Sequence, residues 1–95
     1  MRIFFPKETS KERRVAALPS TIQRLADLGI DVSVESGFGN SLYILDKDFE
    51  ESGAKIIKDR SEGLSVSDIV CRINKPPEDE IHILKDGGIH ISFLD

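Results

Sequence analysis

Five short apolar runs, each rich in Val, Ile or Phe and each closed by glycine, proline or a charged residue, predict five β-strands. The runs cover residues 3–5, 32–34, 55–57, 69–73 and 89–93. In residues 3–5 and 69–71 the hydrophobic residues follow one another rather than alternating with polar ones. That pattern is typical of strands covered on both faces of a sheet.

Helical patterns fill the intervals between the runs. The segment 19–29 predicts a helix that begins at Pro19 and ends just before Gly29, because proline favours the first position of a helix and glycine the position after its end. The other patterns predict a short helix capped by Asp46 and ending at Gly53, a single helical turn within 60–66 because Gly63 weakens any helix, and a helix over 77–85.

Strands that alternate with helices predict parallel pairing through right-handed crossovers, hence an α/β fold with a doubly wound parallel sheet of about five strands. The last strand has no helix behind it, so the sheet is expected to be truncated there. A missing covering layer exposes an apolar face of a few hundred Å², which predicts self-association or marginal stability.

Ninety-five residues hold one small domain. The composition is that of a folded globular chain, with 39% hydrophobic and 32% charged residues. The net charge of −4 and the scattered basic residues argue against nucleic-acid binding. No apolar stretch is long enough for membrane insertion, and Cys71 alone cannot form a disulfide framework, so we expect a small buried hydrophobe there and a cytoplasmic location.

Two candidate sites receive little support from the residues themselves. The turn Gly37–Ser41 contains two glycines after a strand but lacks the third glycine of a dinucleotide fingerprint, and an apolar segment follows it, so we interpret it as a structural turn. His82 and His90 have no further ligands at metal-binding spacing. We therefore expect neither cofactor-binding nor metal-binding residues within the chain, and no catalytic residue can be assigned.

The connection Lys7–Leu18 is about twice as long as an ordinary βα loop. It lies at the carboxyl end of the first strand, where open α/β sheets bind ligands, and the segment Arg72–Pro77 leaves the fourth strand at the same end. Arg13 or Arg14 could clamp a carboxylate there, although a solvated charge run is the interpretation that composition favours. The two segments are expected to share one cleft.

An ordered series of matches along the whole chain resembles the N-terminal domain shared by alanine dehydrogenase and the α subunit of proton-translocating NAD(P) transhydrogenase; saccharopine dehydrogenases share this domain more distantly. The matching segments are Pro6-Lys7-Glu8-Thr9, Glu12-Arg13-Arg14-Val15-Ala16, Val34-Glu35-Ser36-Gly37, Asp68-Ile69-Val70, Lys75-Pro76 and Ile91-Ser92-Phe93-Leu94.

The resemblance implies that residues 1–95 are an incomplete, flavodoxin-like N-terminal domain. In the family this domain faces a Rossmann domain that binds NAD(H), and that domain is absent from this chain. The cofactors implied are NAD(H) and NADP(H) in the complete enzyme, with none bound by these residues alone.

In the alanine dehydrogenase branch an arginine, a lysine and a histidine hold the keto acid. The arginine falls on Arg14. The lysine falls on Asn74, with Lys75 one place later, and the histidine falls on Asp95. Arg14, Lys75 and Asn74 are therefore candidates for lining the cleft, while the loss of a proton donor disfavours amino-acid oxidation.

These departures favour the transhydrogenase branch. The resemblance then implies hydride transfer from NADH to NADP⁺ coupled to proton translocation, with the rest of the α subunit and the membrane β subunit as partners, a homodimeric subunit, and a position at the inner face of the membrane. An alanine dehydrogenase-like fragment and a non-enzymatic assembly module remain as alternatives.

Overall fold

The computed structural model describes residues 1–8, 11–74 and 76–93. Within these ranges the chain forms one sheet of five parallel strands in the order β3-β2-β1-β4-β5. The strands are β1 Arg2–Phe5, β2 Asp31–Glu35, β3 Lys55–Ile57, β4 Ile69–Arg72 and β5 Ile89–Ser92. The predicted α/β class, with its doubly wound parallel sheet of five strands, is confirmed.

The strand order adds a detail to that class. On one side of β1 the chain adds β2 and then β3. It then crosses back and places β4, followed by β5, on the other side of β1. This 3-2-1-4-5 order is the one found in Rossmann-type sheets, whereas flavodoxin itself has the order 2-1-3-4-5. The prediction of a doubly wound sheet is therefore confirmed, and its strands have the Rossmann-type order.

The helices are α1 Pro19–Asp27, α2 Asp46–Glu51, α3 Arg60–Val66 and α4 Glu78–Ile81, with a short 3-10 helix at Asn40–Leu42. Gly29 and Gly53 follow α1 and α2 with φ of +85° and +109°, the left-handed conformation that the sequence predicts. Asp46 was wrongly predicted as the N-cap of α2. Leu45 occupies that position instead, and the backbone N–H of Leu45 donates to Asp48 Oδ2 at 3.1 Å.

The third helix is longer than the single turn that the sequence predicts. Asp59 caps it, since Asp59 Oδ1 accepts hydrogen bonds from the backbone N–H of Ser61 at 3.0 Å and of Glu62 at 3.4 Å. Gly63 does not break the helix because its missing side chain makes room for a ring: an added β-carbon would lie 2.5 Å from Phe4 Cζ. The helix predicted over 77–85, in contrast, is only one turn long.

The sheet separates two apolar cores of different size. The larger lies beneath α1 and α2 and contains the buried residues Ile3, Phe5, Ala17, Ile22, Val32, Val34, Phe38, Phe49 and Ala54. The smaller lies beneath α3 and the segment after α4 and contains Phe4, Leu64 and Val70. Consecutive residues of β1 thus point into different cores, as the strand period requires.

The last strand is poorly covered on the side of the larger core. Ile89, Ile91 and Phe93 are 58%, 40% and 57% exposed. Ile89 and Ile91 lie beside Ile69 and Cys71 of β4, and these two neighbours pack only partly against the larger core. The apolar exposure expected at the last strand is present, and self-association stays a prediction.

Cys71 is half-buried rather than fully buried, and its burial raises the pKa of the thiol. Over the ranges that the structure describes, no helix has both the length and the apolar character needed to cross a membrane.

Candidate functional site

The carboxyl edge of the sheet brings together the segments that follow β1, β2 and β4. The crossover from β3 to β4 reverses the direction in which strands are added, so the connections after β1 and β4 diverge at this edge. Such a switch point leaves a crevice, and open α/β sheets bind their ligands there. The two unusual loops meet at this edge, but the cavity found there is lined by the loop after β1 and the turn after β2, so a cleft shared by the two loops stays a prediction.

Glu8 ties the two loops together. Its side chain is buried, and its carboxylate accepts hydrogen bonds from the backbone N–H of Ile73 at 2.8 Å and of Asn74 at 3.3 Å. These two amides follow the end of β4 and would otherwise lack a ladder partner. Glu8 is therefore a structural acid that holds the cleft in shape, not a solvated member of a charge run.

Glu12 and Arg14 form a two-pronged ion pair on the long loop. Arg14 Nε donates to Glu12 Oε2 and Arg14 Nη2 donates to Glu12 Oε1, both at 2.8 Å. The backbone N–H of Arg14 adds a third hydrogen bond to the same carboxylate at 3.0 Å. Hydrogen bonds from the Arg14 side chain and then from its backbone lower the pKa of Glu12 to about 2, and the same pairing raises the pKa of Arg14.

Asn74, which follows the end of β4, joins this pair. Its Nδ2 donates to Glu12 Oε1 at 3.1 Å, so Arg14 and Asn74 meet through one carboxylate. The Glu12 side chain is 10% exposed, whereas that of Arg14 is 62% exposed. Two of the three predicted cleft residues are thus brought together. Lys75, like Asp95, lies outside the described residues.

A cavity of about 260 Å³ opens beside this group. It is slightly smaller than the pockets that hold drug-sized ligands, which run from about 300 to 1,000 Å³. Its lining combines the loop after β1 with the turn after β2 and includes Lys7, Glu8, Glu12, Arg14, Gly37 and Asn40. A larger hollow of about 470 Å³ lies towards the amino ends of the strands, away from the loops at the carboxyl edge.

The glycine turn after β2 uses its backbone amides internally. The N–H of Gly37 donates to Asp46 Oδ1 at 2.9 Å, that of Phe38 to the carbonyl of Glu35 at 2.9 Å, and that of Asn40 to the carbonyl of Gly37 at 3.0 Å. A phosphate cradle needs such amides to point outward. These contacts favour the structural-turn interpretation for the backbone of this segment.

Sequence reasoning missed a network of four charged side chains beside the smaller core. Arg60, the first residue of α3, pairs with Glu35 at the end of β2 and, through Nε at 2.7 Å, with Glu80 of α4. Arg72 Nη1 donates to the same Glu80 carboxylate at 3.0 Å, although the Arg72 side chain is only 1% exposed.

The network links four elements and keeps its acid charged. Burial opposes ionisation of Glu80, but hydrogen bonds from Arg60 and Arg72 outweigh it, so the pKa of Glu80 lies below its usual value. Arg60 Nη1 also donates to the carbonyl of Lys7 at 2.9 Å, which anchors α3 to the end of β1. One signal was available in the sequence: Arg72 shares the strand parity of buried Val70 and so had to point inward.

His90 of β5 lies on the same face as Arg72. Burial, followed by the nearby positive charge of Arg72, lowers the pKa of His90. Among the residues described, His90 Nε2 and Arg72 Nε are buried without a hydrogen-bond partner. No cluster of three His, Cys, Asp or Glu side chains suited to a metal ion occurs in the same part of the chain.

The comparisons with known proteins agree with this architecture. A family profile described as "Alanine dehydrogenase/PNT, N-terminal domain" matches residues 4–95. The NAD(P) transhydrogenase subunit alpha of Haemophilus influenzae is 40% identical over 95 residues, covering 99% of this chain and 18% of that protein. An alanine dehydrogenase of Staphylococcus epidermidis is 37% identical over 95 residues, covering 99% of this chain and 25% of that protein.

Solved structures extend the likeness to three dimensions. The crystal structure of transhydrogenase from Sinorhizobium meliloti superposes with a TM-score of 0.87 at 29% identity, over 97% of this chain and 27% of that one. An L-alanine dehydrogenase superposes with a TM-score of 0.90 at 24% identity, over 99% of this chain and 26% of that one, which shows a shared fold. The chain spans no more than 27% of the length of these relatives.

Proposed function

Because the chain belongs to the family of the alanine dehydrogenase/PNT N-terminal domain, whose named relatives are oxidoreductases, we propose that it is the N-terminal part of the NAD(H)-binding α subunit of a proton-translocating NAD(P) transhydrogenase. The complete enzyme would transfer hydride from NADH to NADP⁺ and couple that transfer to proton translocation. Residues 1–95 would supply one wall of the cleft and would be inactive alone.

One observation carries the choice of branch. Asn74 stands where the alanine dehydrogenase branch is expected to have its substrate lysine, and the Asn74 amide is already engaged as a donor to Glu12. A carboxamide cannot supply a proton to a substrate carbonyl as an ammonium does. The identities of 40% and 37% to the two kinds of relative do not separate the branches, so the proposal is supported by the chemistry at Asn74.

The cofactor sites and the partner subunits of the proposed enzyme lie outside residues 1–95. NAD(H) and NADP(H) would bind to other regions of the enzyme, in keeping with a glycine turn whose amides donate internally. The partners would be the rest of the α subunit and the membrane β subunit, with the α subunit as a homodimer at the inner face of the membrane. In that setting Arg14, Asn74 and Lys75 would line the cleft between domains rather than act as catalysts.

Calorimetric titration with NADH tests where the cofactor binds. We expect no binding in the micromolar range to residues 1–95, and binding once the downstream region of the same gene is included. The extended protein, combined with membranes that contain the β subunit, should form NADPH from NADH and NADP⁺, measured by chromatography. Micromolar binding to the short chain, or oxidation of alanine by the extended protein, would overturn the proposal.

One observation supports the alanine dehydrogenase alternative: the Arg14 side chain is largely exposed and lines the cavity. It predicts that pyruvate protects the chain against thermal unfolding, that Arg14→Ala removes the protection, and that Arg13→Ala, the neighbouring arginine, keeps it. The transhydrogenase proposal predicts no protection in any of the three proteins.

A non-enzymatic assembly module is the second alternative, supported by the exposed apolar side chains of β5. The reading frame beyond residue 95 separates it from the enzyme. A strand followed by a glycine fingerprint supports the enzyme, and a stop codon supports the module.

A further inference from the structure

We propose that the side chains of Lys7 and Asn40 form a binding site for the phosphate group of a phosphorylated small molecule at the mouth of the cleft. This site shares its cavity with Arg14 and Glu12, but it uses the side chains of Lys7 and Asn40, not the backbone amides of the glycine turn. It goes beyond the proposed function, which assigns both nicotinamide cofactors to other regions.

The two donors converge above Gly37. Gly37 has φ of +86°, and the position that a β-carbon would occupy lies 3.2 Å from Asn40 Nδ2 and 3.4 Å from Lys7 Nζ. The ammonium and the amide therefore approach one point from two loops, one after β1 and one after β2. Any larger residue would fill the space that they share.

Neither donor is satisfied within the part of the chain that the structure describes. No carboxylate there forms an ion pair with Lys7 Nζ, and no oxygen accepts a hydrogen bond from Asn40 Nδ2. The acids of the cavity are already engaged: Glu8 with two backbone amides and Glu12 with Arg14 and Asn74. The Lys7 ammonium and the Asn40 amide are thus left as donors without protein acceptors, beside two acids that are already paired.

This arrangement suits a phosphate better than a carboxylate. A lysine ammonium is a compact charge with three donors, and a phosphate offers three acceptor oxygens to donors from several directions. A carboxylate is matched by the planar fork of an arginine, but Glu12 already occupies the Nε and Nη2 donors of Arg14. The cavity of about 260 Å³ leaves room for a small organic body attached to the phosphate.

The site is held in place by contacts outside it. The backbone N–H of Lys7 donates to Glu35 Oε1 at 2.7 Å, and Ser41 Oγ donates to the carbonyl of Arg13 at 2.8 Å, so both loops are fixed next to their donor residues. Gly39 packs tightly, since an added β-carbon would lie 2.7 Å from the carbonyl oxygen of Ile44. A fixed turn limits the ordering cost of binding.

An amide NMR titration with inorganic phosphate, glycerol 3-phosphate and acetate, each at constant ionic strength, tests the proposal. We expect millimolar binding of both phosphates, with the largest shifts at Lys7, Gly37 and Asn40, and weaker binding of acetate. Tighter binding of glycerol 3-phosphate than of phosphate supports a phosphorylated small molecule. Equal or weaker binding of the ester overturns that assignment in favour of free phosphate, and acetate binding as tight as phosphate overturns the phosphate class.

Variants locate the site. Lys7→Gln should weaken phosphate binding about tenfold because it removes a charge-assisted hydrogen bond. Lys58→Gln, at an exposed lysine elsewhere on the surface, makes the same change in net charge and should leave binding intact. Asn40→Asp should abolish binding by placing a carboxylate against the anion. Equal affinities for the two lysine variants would overturn the proposal.

The outcome is independent of the transhydrogenase assignment. Millimolar phosphate binding at Lys7 is compatible with either branch of the family, and its absence leaves the NADH titration of the extended protein unaffected. Failure of the phosphate site and failure of the proposed function therefore give different results.

Discussion

The two faces of the sheet are stabilised in different ways. Under α1 and α2, nine buried apolar residues pack together, three of them phenylalanines, with Phe38 placed edge-on to Phe49 at 5.3 Å between ring centres. Under α3 and α4 only three residues form the core, and the space beside them holds the ion network of Arg60, Glu80 and Arg72. Apolar burial dominates one face, whereas the other depends on pairing charges that burial alone would penalise.

The largest expected effect is on the apolar face. Phe49→Ala removes a fully buried ring and should lower the free energy of unfolding by about 3–5 kcal/mol. Urea unfolding followed by far-UV circular dichroism measures the loss. The matched control is Tyr43→Ala, because that side chain is 94% exposed and should change stability little. If both substitutions had the same small effect, the larger core would not be the main source of stability.

The second effect is on the ionic face. Glu80→Gln leaves Arg60 and Arg72 without their shared carboxylate, and because Glu80 is 17% exposed we expect a loss of about 2–3 kcal/mol. Glu78→Gln, an exposed acid on the same helix, is the control in the same urea experiment. Equal losses in the two variants would show that helix charge, not the network, determines stability on this face.

The third effect concerns the small core itself. Gly63→Ala would ordinarily stabilise a helix, yet its methyl group would press into the ring of Phe4. We expect a net loss of about 1–2 kcal/mol, measured by the unfolding midpoint. Ser65→Ala at an exposed position of the same helix is the control; it raises helix propensity and removes only one exposed hydrogen bond, from Ser65 Oγ to the carbonyl of Glu62. A Gly63→Ala protein more stable than the wild type would mean that this core is loosely packed.

The smallest effect lies at the edge where the two faces meet. The pKa of Glu12 is lowered in the folded protein from 4.5 to about 2, so its pairing stabilises the fold above the unfolded pKa and this contribution is lost as the pH falls from about 4.5 through 2. Carboxyl NMR titration should give a midpoint near 2. Arg14→Gln should raise that midpoint, and Arg13→Gln should leave it in place. An unchanged midpoint in the Arg14 variant would disprove the pairing.

The difference between the faces also explains what the sequence predicted well. The strands and α1 follow from continuous apolar runs and from Pro19 and Gly29, because their determinants are local. The meeting of the two loops followed from strand topology, since the carboxyl ends of parallel strands share an edge.

Features that depend on contacts between residues far apart in the sequence could not be predicted from local patterns. The length of α3 depends on Phe4, which is 59 positions from Gly63 and gives a local reading no reason to keep a helix there. The ion network joins Glu35, Arg60 and Glu80, and local periodicity gives no sign that they will meet. For the same reason, local patterns could not show that Glu12 joins Arg14 to Asn74, since Asn74 is 62 positions from Glu12.

The two hydrogen bonds of Glu8 have a consequence for biosynthesis. They join amides that are 65 and 66 positions further along the chain, so this wall of the cleft cannot form while β4 is still within the ribosome. The β1–α1 loop emerges early and must wait for most of the domain to be translated. During that interval Glu8 is a solvated acid, and the cleft becomes a defined shape only when Ile73 and Asn74 arrive.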